Sequence, residues 1–267
     1  MSNCERAKGG WHLPRVLIPI ELLNADEPQA AGETARRLVR VLRLGAGDAF
    51  TAMDGGGLEY DCRILSASPK LVHFVVEESR QLTTEPRLEL TIAQAVPKGS
   101  RMEFVIQKCV ELGVARIVPL LTERGIVRHA DELDADFDDE PGQRERRWAQ
   151  VAISAAEQSG RGRVPAVTRP LSLGAALTAM GEADLFILDE RERECSLVHA
   201  LRGAENPMTR VGVFIGPEGG FTVGEIEQAI GFGAQPVTLG PRILRTETAG
   251  IVACTIVMAL AGELEFR

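Results

Sequence analysis

A chain of 267 residues, 45% hydrophobic and 25% charged, has enough apolar material for a real core and room for one large domain or two ordinary ones. No apolar run approaches the roughly 20 residues a membrane-spanning helix needs. Met1–Gly10 is polar and lacks the apolar stretch of a secretory signal, so the expected compartment is the cytoplasm and no membrane partner is expected. The five cysteines, Cys4, Cys62, Cys109, Cys195 and Cys254, are dispersed without a Cys-x-x-Cys pair, and the four histidines lie far apart. That pattern suits a reducing environment and offers no metal site. The formal net charge of −8 would disfavour a nucleic-acid partner if it were evenly spread. Much of the acid is instead gathered in Asp131–Glu140, which reads as a solvated loop or mobile insert.

In chain order, residues from about 11 to 82 read mostly as strand: Arg15–Ile20, Asp48–Asp54, Leu58–Ser66 and Leu71–Glu77 are short β-rich runs. Asp54-Gly55-Gly56-Gly57 is a hairpin-type connection. One helix, Glu33–Leu44, interrupts them. On a helical wheel it gathers Arg36, Arg37, Arg40 and Arg43 on one side and Leu38, Val41 and Leu42 on the other. That arginine stripe is either an ordinary solvated face or a phosphate-binding one. A polar, proline-containing stretch, Gln81–Arg87, marks a domain boundary, leaving a small β-rich unit over 1–82.

From Leu88 strands alternate with helices. Leu88–Val96 predicts a strand, Pro97-Lys98-Gly99 a turn, and Ser100 with Glu103 a capping box opening a helix. Met102, Val105, Ile106, Cys109 and Val110 form its apolar stripe, which makes Cys109 core and not nucleophile, and Gly113 closes it. Arg116–Leu121 is the next strand. Trp148, Val151, Ala152, Ala155 and Ala156 mark a further helix, ending in the polar, basic turn Glu157–Arg163. Asp184–Leu188 is another strand, aiming Asp189 and Glu190 at the following loop. The alternation over 88–267 predicts a mostly parallel α/β sheet covered on both faces.

The most unusual stretch is Val211–Ala259. Two strands, Val211–Ile215 and Gln235–Leu239, each run into a loop: Gly216–Thr222 and Leu239–Ala249. Thr222 and Glu225 have capping-box spacing, and Thr246 is placed to cap a helix whose buried stripe would be Ile251, Val252, Thr255, Ile256 and Ala259. Set side by side, both loops reach the carboxyl edge of the sheet, where open α/β proteins bind ligands. Gly216, Gly219 and Gly220 admit close backbone approach, while Glu218, Arg245 and Glu247 bring charge. Neither loop has the spacing of a common nucleotide cofactor motif.

The blocks Lys98–Glu103, Gln107-Lys108, Glu111–Gly113, Thr122–Arg124, Ala156–Gln158 with Arg161 and Arg163, Ile215–Gly220 and Leu239–Ala249 together resemble the RsmE family, the 16S ribosomal RNA uridine-N3 methyltransferases of the SPOUT superfamily. The resemblance runs over nearly the whole chain and is strongest after Leu88. It implies an α/β fold: a C-terminal trefoil-knotted methyltransferase domain binding S-adenosylmethionine, with a small N-terminal PUA-like β-barrel that helps hold RNA. It further implies a homodimer acting on 16S rRNA or the assembled 30S subunit. Where the family often carries histidines before the Leu-Val-x-Val-Leu-Arg segment, this chain has Arg36 and Arg37.

By resemblance, the cofactor wall comprises Leu188, Ile215, Gly216, Gly220, Leu239, Gly240, Ile243, Leu244 and Thr246. Gly216 and Gly220 suit it because a side chain there would crowd the ligand. Arg245 is the candidate for stabilising charge on the target base or its phosphate. Glu247 is the candidate proton acceptor or orienter of Arg245, with Glu218 next; Glu247 could equally be an acid favouring a helix N-terminus. RNA contacts are expected from Arg15, Arg36, Arg37, Arg40, Arg43 and Arg161. Competing readings are a non-catalytic RNA-binding module, a small-molecule α/β enzyme, and a SPOUT methyltransferase acting on tRNA or another RNA position.

Overall fold

In the computed structural model, residues 13–126, 142–204 and 208–265 are described. The acidic stretch Asp131–Glu140 lies outside them. The chain forms two compact units, one of Met1–Glu85 with Ala156–Val164 and one of Pro86–Ala155 with Pro165–Arg267.

The first unit is a five-stranded sheet in the order β1-β3-β4-β5-β2. The strands are β1 (Arg15–Leu17), β2 (Gln29–Ala31), β3 (Ala49–Met53), β4 (Leu58–Ala67) and β5 (Leu71–Gln81), and a short helix α1 (Ile20–Leu23) follows β1. The hairpin between β3 and β4 turns where expected: Asp54 Oδ1 accepts from the backbone N–H groups of Gly56, Gly57 and Leu58 at 2.8, 3.1 and 3.0 Å. Register shifts between β4 and β5 at Asp61/Cys62 and Ile64/Ser66 are the irregularities that let such a sheet curl. Its core includes Ile18, Leu38, Ile64 and an edge-to-face pair, Phe50 and Phe74, with ring centroids 5.4 Å apart.

The arginine helix departs from expectation. Helix α2 covers Gly32–Arg36 and passes into a π turn over Arg37–Val41; it ends with Arg43 in the left-handed region at φ 57°. The wider i→i−5 turn rotates later residues away from an ideal wheel. Leu38 is buried as predicted, but Val41 is 70% exposed.

The second unit is an entirely parallel sheet in the order β12-β10-β11-β6-β7-β8, with β9 also paired to β7. Its elements are β6 (Glu89–Ala95), α3 (Arg101–Glu111), β7 (Arg116–Leu121), α4 (Gln143–Ser159), β8 (Ala166–Val167), β9 (Leu171–Ser172), α5 (Leu173–Met180), β10 (Asp184–Leu188), α6 (Leu197–Arg202), β11 (Arg210–Ile215), α7 (Val223–Gly231), β12 (Gln235–Val237) and α8 (Thr246–Leu260). The last turn of α4 belongs to the first unit. The strands β6, β7, β10 and β11 are mostly apolar runs buried on both faces, as central parallel strands are. Among the described residues no helix is long and apolar enough to cross a membrane.

Four local expectations are corrected. Strands β11 and β12 are not neighbours, because β10 lies between them; all three are parallel, so their following loops still share one edge. Ser100 makes no side-chain cap on α3, since its ψ of 9° points the hydroxyl away from capping geometry, and Glu103 faces Arg147 at 3.6 Å instead. Arg245, not Thr246, occupies the cap position of α8, and Thr246 is its first helical residue. The buried face of α8 is Thr246, Gly250, Ala253, Cys254, Val257 and Met258. The predicted stripe is half-buried or exposed because this helix is apolar nearly all round, so periodicity cannot choose a face. The Thr222–Glu225 capping box on α7 forms in full.

Candidate active site

The carboxyl ends of β10, β11 and β12 surround a cavity of about 300 Å³, at the low end of the range for ligand pockets. Three loops meet there. The loop after β10 brings Asp189, Glu190 and Arg193; the loop after β11 brings Gly216, Pro217, Glu218 and Gly220; the loop after β12 brings Thr238 through Arg245. Leu188, Ile215, Leu239, Ile243, Leu244 and Thr246, with Gly216, Gly220 and Gly240, all line it, as do Arg245 and Glu218. The structure therefore gathers into one cavity residues that the sequence scatters over two separate loops and three strand ends.

Two loop glycines are explained by the protein itself. A Cβ on Gly216 would stand 3.1 Å from the Phe221 ring, and one on Gly220, at φ 66°, 3.1 Å from Glu190 Oε1. Crowding falls first on those side chains, not on a ligand. Gly240, at φ 109° with open space where a Cβ would be, is required by its backbone conformation.

The β11 loop is held from two sides. Arg124 Nη1 donates to the Gly219 carbonyl at 3.0 Å. Glu225 accepts from the backbone N–H of Thr222 at 2.8 Å and from that of Glu123 at 2.9 Å. Below it, Thr246 Oγ1 donates to the Gly216 carbonyl at 2.5 Å and accepts from Gln94 Nε2 at 2.8 Å.

Charge collects at the rim. Arg101, opening α3, stands 3.5 Å from Glu218 and 3.8 Å from Glu247. Glu247 is only 13% exposed at its side chain, does not line the cavity, and leaves Oε2 buried without a hydrogen-bond partner. It faces Arg101, not Arg245. Among the described residues no carboxylate pairs with Arg245, whose exposed guanidinium is free for a ligand. Arg101, Gln94 and Arg124 carry no expected role from the sequence alone. The signal for Gln94 is a polar residue at the inner end of the strand, between Ala93 and Ala95, where its neighbours are apolar. Cys109 is buried against Cys254, and that thiol contact and burial push it well above its ordinary range, which fits core and not nucleophile.

The arginines expected to meet RNA divide into two sets. Arg36, Arg40 and Arg43 are exposed. Arg15 lies 3.6 Å from the buried Glu59; Arg37 pairs with the buried Glu157; Arg161 is itself buried and pairs with Glu85 at 2.8 Å. Glu157 also accepts from the Leu17 N–H at 2.8 Å. Burial raises its carboxyl above the ordinary range, against the lowering pull of Leu17 N–H and Arg37. Residues 157–163, the polar, basic turn of the sequence, thus supply buried charge within the first unit through Glu157 and Arg161.

With this geometry in place, the chain matches the RNA methyltransferase domain family over residues 84–258 and the RNA methyltransferase PUA domain family over 32–77. It is 36% identical to ribosomal RNA small subunit methyltransferase E of Synechocystis sp. over 247 residues, covering 92% of this chain and 77% of that protein. The chain belongs to the ribosomal RNA small subunit methyltransferase E family. The Bacillus subtilis member is 32% identical, with 85% and 87% covered. Among solved structures, the Neisseria gonorrhoeae member bound to S-adenosyl methionine aligns with a TM-score of 0.79 at 33% identity, covering 93% of this chain and 98% of that one. A Legionella pneumophila protein solved with bound SAM reaches 0.82 at 32% identity, with the same coverage. The fold expected from family resemblance, a SPOUT-type α/β methyltransferase unit with a PUA-like β unit, is the one this chain has.

Proposed function

We propose that the protein transfers a methyl group from S-adenosylmethionine to N3 of a uridine in 16S ribosomal RNA, acting in the cytoplasm as a homodimer. The observation that carries this is the cavity among the β10, β11 and β12 loops, which has an apolar wall and is lined by Arg245 and Glu218, with Arg101 set between Glu218 and Glu247 beside it. The relatives named above, two of them solved with this cofactor, support it.

The cavity suits such a cofactor. Leu188, Ile215, Leu239 and Leu244 offer apolar faces to an aromatic base, while Glu190 and Glu218 offer carboxylates to cationic or hydroxyl groups. S-Adenosylmethionine, when bound, supplies an electrophilic methyl on a sulfonium. The chain's residues do the rest. The loop walls hold the reactants in line, an effect that can remove about 7–11 kcal/mol of a barrier. Arg245 carries positive charge, unneutralised by any described carboxylate, to where a uracil oxygen becomes negative. Glu247, with one carboxylate oxygen buried and unpartnered, is held next to Arg101 and is the leading acceptor of the N3 proton; Glu218 is the alternative. Arg36, Arg40 and Arg43 supply the phosphate contacts.

The test is methyl transfer from labelled S-adenosylmethionine to 30S subunits lacking the modification, followed by nucleoside analysis. N3-methyluridine is expected. Methylation of tRNA alone, or of another atom, would overturn the assignment while leaving the cofactor reading intact.

A further inference from the structure

Two of the three loops that wall the cavity are joined by a hydrogen bond between Thr246 and Gly216 that is backed by an uncharged side chain belonging to neither. Gln94, near the end of β6, is fully buried. Its Nε2 donates to Thr246 Oγ1 at 2.8 Å and to the Ala95 carbonyl at 3.2 Å. Thr246 Oγ1 in turn donates to the Gly216 carbonyl at 2.5 Å. A threonine hydroxyl has one proton. With that proton on Gly216, Thr246 can only accept from Gln94, so the amide nitrogen must face Thr246 and the amide oxygen must face away. The oxygen is then confined: Gln94 Oε1 is buried without a hydrogen-bond partner, and a Cβ on Gly250 would lie 2.4 Å from it. Gly250 on α8 is the space that this orientation of the amide occupies.

We propose that Gln94 is a positioning residue for the cofactor cavity. By fixing the direction of the Thr246–Gly216 hydrogen bond, it ties the β11 loop to the first turn of α8 and sets the spacing of the two walls. Thr246 and Gly216 line the cavity; Gln94 does not, so it acts only through them. Arg245 and Glu247 flank Thr246 in the chain, and the same tie holds the backbone from which both project. The inference rests on the cofactor reading of the cavity.

An ordinary buried glutamine, satisfied by the Ala95 carbonyl and filling space, would have another signature. Its loss would cost stability and leave ligand affinity untouched. The experiment is isothermal titration of S-adenosylmethionine into the full-length protein, with thermal unfolding alongside, for wild type, Gln94→Met, Thr246→Val, Thr246→Ser and the Gln94→Met/Thr246→Val pair. Valine keeps the shape of threonine and removes only the hydroxyl. Each of Gln94→Met and Thr246→Val is expected to weaken binding about tenfold, the scale of one well-placed hydrogen bond. Thr246→Ser stays within about threefold of wild type, and the pair is no weaker than its weaker member, because both substitutions break one relay. Wild-type affinity in either single variant, or multiplication to about 100-fold in the pair, would overturn the proposal. Should Gln94→Met fail to fold, Gly250→Ala pushes the same amide from α8 while favouring the helix, and wild-type affinity there overturns it equally. Failure of wild type itself to bind S-adenosylmethionine would instead remove the cofactor reading.

Discussion

Charge serves opposite purposes in the two regions of this molecule where it is concentrated. In the N-terminal unit, one set of arginines pairs with carboxylates that the fold buries. Arg80 reaches Glu59 at 2.5 Å and Asp61 at 2.7 Å, Arg161 reaches Glu85 at 2.8 Å, and Arg37 closes on Glu157, so the carboxylates of Glu59 and Glu157 sit almost out of solvent. At the mouth of the cavity the pairs around Arg101 are long, 3.5 and 3.8 Å, and Arg245 has no described carboxylate partner, while Asp189 on the β10 side keeps a short pair with Arg191 at 2.8 Å. Short, buried pairs are expensive to break, because removing one partner leaves the other charge buried and uncompensated. Long or missing ones at a rim leave donors and acceptors for a ligand. Residue type alone does not separate the two uses; distance and burial do.

The largest effect should come from breaking an inward pair. Arg161→Ala leaves Glu85, whose side chain is 15% exposed, without its guanidinium. The loss expected on removing one member of a buried pair is about 3 kcal/mol, read as an earlier chemical-denaturation transition. If Arg161 served RNA instead, stability would hold and RNA affinity would fall. Next is the rim. Arg245→Ala should lower kcat by about 10²–10³, the scale of losing one stabiliser of developing charge, with S-adenosylmethionine affinity within about twofold of wild type. Equal losses in both would move Arg245 from the chemistry to the cofactor wall and dissolve the contrast.

How much of this could be read from residues alone follows the same line. The strands of the second unit were legible because short apolar runs such as Arg116–Leu121 and Asp184–Leu188 suit strands buried within a parallel sheet. The loops stood out because Gly216–Gly220 and Leu239–Thr246 combine glycine with charge at strand ends. The buried face of α8 was not legible, since apolar residues surround it and Gly250 is set by Gln94, 156 positions away by subtraction of their numbers. Nor was the inward turn of Glu157 and Arg161, whose partners Leu17, Arg37 and Glu85 lie far earlier in the chain. Local pattern marks which residues can be charged at a surface; long-range pairing decides which of them stay there.

A smaller effect sharpens the contrast through pH. Burial holds the Glu157 carboxyl above its ordinary range, opposed by the Leu17 N–H and Arg37. A raised folded-state value means that the group's favourable contribution is full below the ordinary carboxylate range and is lost as pH rises through the folded value. Arg37→Ala removes one of the lowering influences and raises that value further. The variant should therefore match wild type in denaturation midpoint near about pH 4 and fall behind by about 1 kcal/mol near about pH 8. A gap that is constant with pH would mean that Arg37 contributes packing and not charge.

The smallest expected changes belong to the arginines that face outward. Arg36, Arg40 and Arg43 are exposed and Arg37 is paired, although all four lie within one short segment. Each guanidinium that meets a phosphate displaces counterions, so its loss weakens binding several-fold and lowers the slope of log affinity against log salt by about 0.7–0.9. Alanine at Arg36, Arg40 or Arg43 should show this shift with ribosomal RNA, whereas Arg37→Ala should leave the slope unchanged, because its charge is already opposed by Glu157. Measuring the four slopes side by side separates contact from scaffold within one short segment of chain. A shifted slope for Arg37 would mean that the Glu157 pair opens when RNA binds, and the inward and outward sets would then exchange a member.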